Sequence, residues 1–298
     1  MKKFSNLFIM ALVGSLFVLS GCTQGQKKEV EEVKVKKDIY LQLYSLRDDI
    51  KADYKATIDS VAKFGYTGVE AAGYNDGQFY GMAPADFKKS IEDAGLEVLS
   101  SHTSRPLADK PADTNWDEVW AWWDTAIQAH KDAGMKYIVA PWMPTPKTIA
   151  DLKAYCDYYN QIGEKCNAAG LRFGYHNHNF EFTEIEGQLM YDYMLKNTDP
   201  AKVFFQMDVY WVVRGGQSPV DYFNAYPGRF EQLHIKDNKE LGQSGMVGFD
   251  AIFNNIANSG AKYLIVEVEK YTGTPFAGVK ESYNYLTNAD YVKASYSK

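Results

Sequence analysis

From residue 38 onward the chain alternates between two hydrophobic periods. Short apolar runs lie at 38–46, 65–73, 96–102, 136–142, 171–178, 202–211, 230–237 and 262–271. Runs of this length, bounded by Gly and polar residues, predict strands. Between the first five come YKATIDSVAKFG, APADFKKSIEDAG, NWDEVWAWWDTAIQAHKDAG and KTIADLKAYCDYYNQIGEKCNAAG. Their apolar residues recur three and four apart, which predicts amphipathic helices. Further helical patterns lie near 187–197, 218–226 and 249–260 and after 276. Gly65, Gly95, Gly134, Gly170 and Gly260 each stand just before the next strand. A helix C-terminus favours glycine there.

Eight strands alternating with eight helices predict a parallel sheet covered by helices. For a segment of ~260 residues the closed (β/α)8 TIM barrel is the expected solution. An open doubly wound sheet is the alternative, but no Gly-rich phosphate loop follows the first strand. No linker divides 38–298, so this segment is read as a single TIM-barrel catalytic domain. The Gly-rich loop at 238–248 is a candidate lid.

The N-terminus follows a different pattern. Lys2 and Lys3 precede an apolar run from Leu7 to Leu19, which ends in Leu19-Ser20-Gly21-Cys22. Residues 1–21 therefore read as a signal peptide. The run is short for a membrane span. Its ending resembles the bacterial lipoprotein processing box, in which the cysteine is lipidated and becomes the new N-terminus. Cys22 is the expected lipidation site, and 22–37 is a polar, Lys/Glu-rich tether. The expected location is the bacterial cell envelope, lipid-anchored, facing the periplasm or the exterior.

Charge narrows the partners. Residues 1–21 carry two lysines and no acid, so their removal takes the net charge from −6 to −8. Nucleic acid is not an expected partner, because phosphate backbones demand clustered Lys and Arg. Cys156 and Cys166 fall on one predicted helix, roughly 15 Å apart at ten residues of rise, too far for a disulfide. They are expected to be buried thiols. The aromatic fraction of 15% suits a sugar-contacting surface or an ordinary aromatic core.

In a barrel of this kind active sites lie at the C-terminal ends of the strands. Those ends carry Tyr44 and Arg47, then Glu70, His102 and Trp142. They continue with His176 and His178, Asp208, His234 and Lys236, and finally Glu267 and Glu269. Four of the five histidines of the chain are in this set. The fifth, His130, falls on a helix and is expected at the surface. Strand residues two apart share a face. His176 and His178 therefore point together, as do His234 and Lys236, and Glu267 and Glu269. Imidazoles and carboxylates from strands five to eight suit one divalent metal: Mn, Co, Zn or Fe. Plainer readings exist for each residue alone. Asp208 can cap the next turn, His178 and Glu181 can sit in a solvated loop, and Lys236 can pair with a barrel carboxylate.

The stretches LQLYSLRDDI, GYTGVE, GYHNHNFEF, QMDVYW, LHIKDN and IVEVEKY, in this order, resemble the sugar phosphate isomerase/epimerase superfamily. This is the xylose-isomerase-like barrel group, with inosose dehydratases, ketose 3-epimerases and metal-dependent apurinic endonucleases. The resemblance spans most of 38–298. It implies one divalent metal held by a ligand from each of four late strands, commonly Glu, Asp, His and Glu. Asp208, His234 and Glu267 match the last three. His176 stands where the first glutamate is usual, with His178 as the alternative.

The resemblance further implies chemistry at a carbon beside a carbonyl. A metal Lewis acid stabilises the enediolate left when a base removes the α-proton. Isomerisation, epimerisation or β-elimination can follow. Lys236, His178, Glu70 and Glu269 are the candidate proton-transfer residues. Tyr44, Arg47, His102 and Trp142 are the candidate substrate contacts. Sugar phosphates are scarce outside the cytoplasm, so the expected substrate is a small, non-phosphorylated keto-sugar or keto-glycoside. A homo-oligomer is compatible with this group. The competing reading is a carbohydrate-binding lipoprotein without turnover on the same barrel. An acidic, tethered chain argues against a nuclease.

Overall fold

The computed structural model describes residues 35–297. The expected signal peptide, Cys22 and most of the tether lie outside the described residues. Eight parallel strands close a barrel in chain order. They are β1 Ile39–Gln42, β2 Gly68–Ala71, β3 Glu97–His102, β4 Tyr137–Ala140, β5 Arg172–His176, β6 Val203–Asp208, β7 Gln232–Lys236 and β8 Tyr263–Glu267. The TIM barrel expected from the alternating pattern is therefore present. All five expected helix-terminal glycines have positive φ, between 71° and 102°.

Two apolar cores follow from the strand alternation. Outward residues such as Leu41, Val69, Phe173, Phe205 and Ile235 pack under the helices. Inward residues Tyr40, Leu99, Tyr137, Val139, Phe204 and Ile265 form a separate plug inside the barrel. Strand β6 shows how the interior is layered. Phe204 belongs to the plug, Gln206 comes one step higher, and Asp208 reaches the mouth. Gln42, Glu70, Ser100, Gln206 and Gln232 make a fully buried polar layer between plug and mouth. Strand register sets Gln42 beside Glu70 and Glu70 beside Ser100. A methyl group on Gly68, two residues below Glu70, would lie 2.4 Å from the Glu97 carbonyl oxygen, so only glycine lets β2 and β3 approach there.

Several boundaries differ from the sequence reading. The first strand ends at Gln42 and turns into a 3-10 segment, Leu43–Leu46, that carries Tyr44. The apolar run at 202–211 is not all strand. Asp208 caps a short helix, Val209–Arg214, by accepting from the Trp211 N–H at 3.0 Å. His130, expected at the surface, is fully buried in helix Trp116–Asp132. It bridges the Ala126 carbonyl at 2.6 Å and Thr103 Oγ1 at 3.1 Å. Loop 238–248 is pinned rather than free. Asp237 accepts from the N–H groups of Asn238 and Gly242 and from the Ser244 hydroxyl, and Glu240 holds Thr272. Cys156 and Cys166 are buried free thiols, as expected.

Candidate metal centre and substrate pocket

A pocket of about 410 Å³ opens at the C-terminal ends of the strands. Its lining includes His102, His176, His178, Glu267 and Glu269, with Tyr44 and Trp142 at the rim. Strands β5 to β8 deliver one ligand atom each from His176, Asp208, His234 and Glu267. These four atoms all lie within 4.8 Å of one another, and all four residues are buried. His102, His176 and His234 make an overlapping group.

The polar layer orients these ligands. Glu70 is fully buried and saturated. Its Oε1 accepts from Gln42 Nε2 at 2.8 Å and His234 Nε2 at 2.7 Å, with His102 Nε2 at 3.1 Å. Its Oε2 accepts from the Ser100 hydroxyl at 2.6 Å and Gln206 Nε2 at 2.8 Å. With its NH2 donated to Glu70 and to Gln232, Gln206 turns its Oε1 upward as an acceptor. That oxygen lies 2.8 Å from His102 Nε2 and 3.1 Å from His176 Nδ1, so both nitrogens carry protons. His176 is left with a lone pair on Nε2. His234, which donates from Nε2 to Glu70, presents Nδ1. A carboxylate behind a ligating histidine is the usual support of a metal-bound imidazole.

The charges follow from this packing. Burial works against ionised Glu70, but His102 and His234 hold its carboxyl well below the ordinary carboxylate range. His234, between Glu70 and Glu267, is pushed up to about 10 despite burial. Glu267 is held far below its ordinary value, against burial, by Lys236 and His234. Asp208 goes the other way. Burial raises its carboxyl to about 7, although Lys236 and His234 oppose the shift. Burial lowers His178 to about 4, and burial together with the neighbouring His234 and His178 lowers His176 well below its ordinary value. Lys236 is raised, against burial, by Glu267, Asp208 and Glu269.

Several buried polar atoms have no hydrogen-bond partner: Asp208 Oδ2, His234 Nδ1, Lys236 Nζ and His178 Nδ1 are among them. Native proteins leave few such atoms unpaired. The first two belong to the four-residue group, and both are metal-ligating atom types. The donor set, two imidazoles and two carboxylates without thiolate, suits a catalytic divalent ion rather than a structural zinc.

Most of the expected site residues come together. Lys236 Nζ lies 3.5 Å from Glu267 and 3.4 Å from Glu269, so the expected pair with barrel carboxylates is present beside the ligand group. Two assignments need correction. Glu70, expected as a proton carrier, is enclosed beneath the candidate ligands, and its lone pairs are used by four donors, with His102 Nε2 a further contact at 3.1 Å. Arg47, expected as a substrate contact, turns back on Tyr44, donating to its carbonyl at 3.1 Å with the guanidinium 4.6 Å from its ring. Glu181 is not solvated. It is buried, accepts from the Tyr175 hydroxyl at 2.7 Å and the His178 N–H at 2.9 Å, and burial raises its carboxyl to about 7. It thereby fixes the turn that carries His178. Sequence reasoning passed over Gln206, although it shares a strand face with Asp208 at a spacing of two. Asn177 was also missed. It accepts from the Asp208 N–H at 3.1 Å and the Tyr191 hydroxyl at 3.2 Å.

Comparison with known proteins gives a consistent picture. A family model described as xylose isomerase-like TIM barrel matches residues 58–289. A crystal structure of a sugar phosphate isomerase/epimerase from Parabacteroides distasonis ATCC 8503 is 35% identical. It superposes with a TM-score of 0.83 over 90% of this chain and 99% of that one. A second sugar phosphate isomerase/epimerase from the same organism is 39% identical, with a TM-score of 0.79 over 86% of this chain and all of that one. Inosose dehydratase of Lacticaseibacillus casei is 23% identical over 278 residues, which span 78% of this chain and 88% of the relative.

Proposed function

The chain belongs to the xylose isomerase-like TIM barrel family, and from that premise we propose a divalent-metal-dependent enzyme acting on a non-phosphorylated keto-sugar or keto-glycoside. The reaction begins with removal of a proton next to a carbonyl and ends in isomerisation, epimerisation or β-elimination. One observation carries the reading. Four ligand atoms from His176, Asp208, His234 and Glu267 converge within 4.8 Å, and two buried atoms of that group, Asp208 Oδ2 and His234 Nδ1, have no hydrogen-bond partner among the described residues. A divalent ion held there would supply Lewis-acid polarisation of the carbonyl.

The remaining work falls to the chain itself. His178 lines the pocket as a neutral imidazole at pH 7, with its base lowered by burial. Glu269 lines the same pocket and is about one-third exposed on its side chain, at 31%. These two are the groups that take and return protons from bound substrate. Lys236 holds a positive charge beneath Glu267 and Glu269, where it offsets the negative charge that proton removal leaves on oxygen. Glu70 fixes the histidine tautomers through Gln206 and directly.

The test has two parts. Protein purified without chelators is assayed for metal, alongside an Asp208→Ala/His234→Ala variant, with circular dichroism as a check on folding. It is then incubated with keto-sugars and 3-keto-glycosides in deuterated water. Near-stoichiometric metal, lost in the variant, and deuterium at the α-carbon are expected. A wild type that takes up no Mn²⁺, Co²⁺ or Zn²⁺ would end this proposal in favour of a binding protein. Envelope attachment through Cys22 belongs to the same proposal, supported by the Leu19–Cys22 box. Retention of a Cys22→Ala protein at full length with its signal peptide uncleaved is the expected result.

A further inference from the structure

The pocket has two features that a single small sugar does not use. The first is its rim. Tyr44 is 43% exposed and Trp142 48%, and both line the pocket. Exposed aromatic rings beside a polar cavity leave apolar surface in water unless a ligand covers it. The loop that carries Trp142 is stiffened by its sequence. Trp142 lies in PWMPTP, where three prolines fix φ, and its neighbour Met143 is fully buried. A platform ordered in advance costs little further entropy on binding.

The second feature is another cavity, of about 240 Å³, lined by the next residues of the same loop. Pro141 and Trp142 line the inner pocket, while Pro144, Thr145, Pro146 and Lys147 line the outer one. One residue, Met143, lies between the two linings, so the Cα atoms of Trp142 and Pro144 are at most about 7 Å apart. Asp109 and Tyr155 line the outer cavity together with Lys147, so its walls offer hydrogen-bonding groups of both kinds.

Charge completes the picture. Among the described residues no Lys or Arg lines the inner pocket, whereas Glu267 and Glu269 do. Lys236 is buried and lies within 3.5 Å of both carboxylates. Apart from an ion on the four ligands, a phosphate group in this pocket would meet lining carboxylates and, among the described residues, no lining Lys or Arg.

We infer that the substrate extends beyond the ring that reacts: it is a neutral glycoside, with its second ring on Trp142 and Tyr44 and its far end in the outer cavity. This rests on the proposed chemistry for the inner ring only, and its own evidence is the rim and the outer cavity. The reacting ring occupies the pocket above the four ligands. The Trp142 loop separates the two subsites and sets the distance between them.

Isothermal titration of the full-length, metal-loaded protein tests this. The probes are glucose-, galactose- and mannose-based disaccharides and trisaccharides, the three monosaccharides, and glucose 6-phosphate. At least one disaccharide is expected to bind about five- to tenfold more tightly than its monosaccharide, the size of one aromatic stacking contact. In Trp142→Ala that ratio falls towards one, and Trp142→Phe restores part of it. A trisaccharide gains again over the disaccharide, and Lys147→Ala removes that second gain. Glucose 6-phosphate binds no more tightly than glucose. Equal affinity for mono- and disaccharides across the panel, or tighter binding of the phosphate, overturns the inference. The two proposals fail separately. Deuterium exchange into a keto-monosaccharide without any disaccharide preference leaves the chemistry standing and removes the extended substrate. Disaccharide preference without exchange does the reverse.

Discussion

Asp208 has different partners on its two oxygens. Oδ1 caps helix Val209–Arg214, and Oδ2 faces the ligand group without a partner. A buried carboxylate with one hydrogen bond is costly, which is why its carboxyl rises to about 7. Asp208→Asn keeps a cap oxygen and removes the charge. In the presence of chelator this variant is expected to be about 1–2 kcal/mol more stable than wild type in urea denaturation, while elemental analysis finds no bound metal. A loss of stability would mean that the carboxylate is already satisfied. Glu70 predicts the opposite sign. Every lone pair it offers meets a donor, so Glu70→Gln sets an amide NH2 against Ser100 or Gln206. That change is expected to cost about 2–4 kcal/mol. It should also weaken metal binding by roughly 10- to 100-fold through the histidines it supports. Both measurements use the same purified variant, and unchanged metal affinity would remove Glu70 from its supporting role. The four residues of the candidate group were readable in the sequence, because each lies at or within two residues of a strand end at a fixed place in the alternation. The role of Glu70 was not. Whether a strand-end carboxylate points into the pocket or lies under it depends on the bulge between Val69 and Glu70 and on partners from β1, β3, β6 and β7.

At the scale of elements, the alternation of apolar periods was enough to place eight strands and the barrel closure. It erred where a side chain overrode the local pattern. The run VYWVVR is β-branched and aromatic, yet the Asp208 cap turns it into helix. His130 is the clearest helix-to-strand case. The helical pattern gave it a face but could not show that Thr103, Tyr74 and Phe79 enclose it. Its Nδ1–H donates to Ala126 and its Nε2 accepts from Thr103, so the ring is satisfied only when neutral. Burial lowers it from 6.5 to about 4. The sign follows from linkage. Between those two values the unfolded chain binds the proton and the folded chain does not, so stability rises with pH. This contribution is complete above pH 6.5 and is lost as pH falls towards 4. Asp208 and Glu181, both raised to about 7, act in the opposite sense at nearby pH. The difference between wild type and His130→Gln isolates the histidine. From pH 6.5 to 4, wild type should lose on the order of 3 kcal/mol more than the variant. Parallel stability profiles would show that His130 accepts a proton without strain.

For the whole molecule, the proposed metal site would link occupancy to global stability, because the unfolded chain cannot assemble residues from four strands. An ion that binds only the folded state adds RT ln(1 + [M]/Kd), about 2.7 kcal/mol at a hundredfold excess over Kd. For a domain of this size that corresponds to a rise in Tm of roughly 5–10 °C. The electrostatics add a pH dependence. Before His234 can ligate it must lose the proton that Glu70 and Glu267 hold on it, up to about pH 10, and Asp208 must ionise above about pH 7. Binding therefore releases protons, and the affinity rises with pH. The thermal gain from Mn²⁺, Co²⁺ or Zn²⁺ over chelator should accordingly be larger at pH 8.5 than at pH 6.5. Each pH needs its own chelator baseline, since the metal-free protein has a pH dependence of its own. A gain that persists in Asp208→Ala/His234→Ala would assign the effect to surface sites. A gain that shrinks with rising pH would contradict the protonated His234 between its two carboxylates.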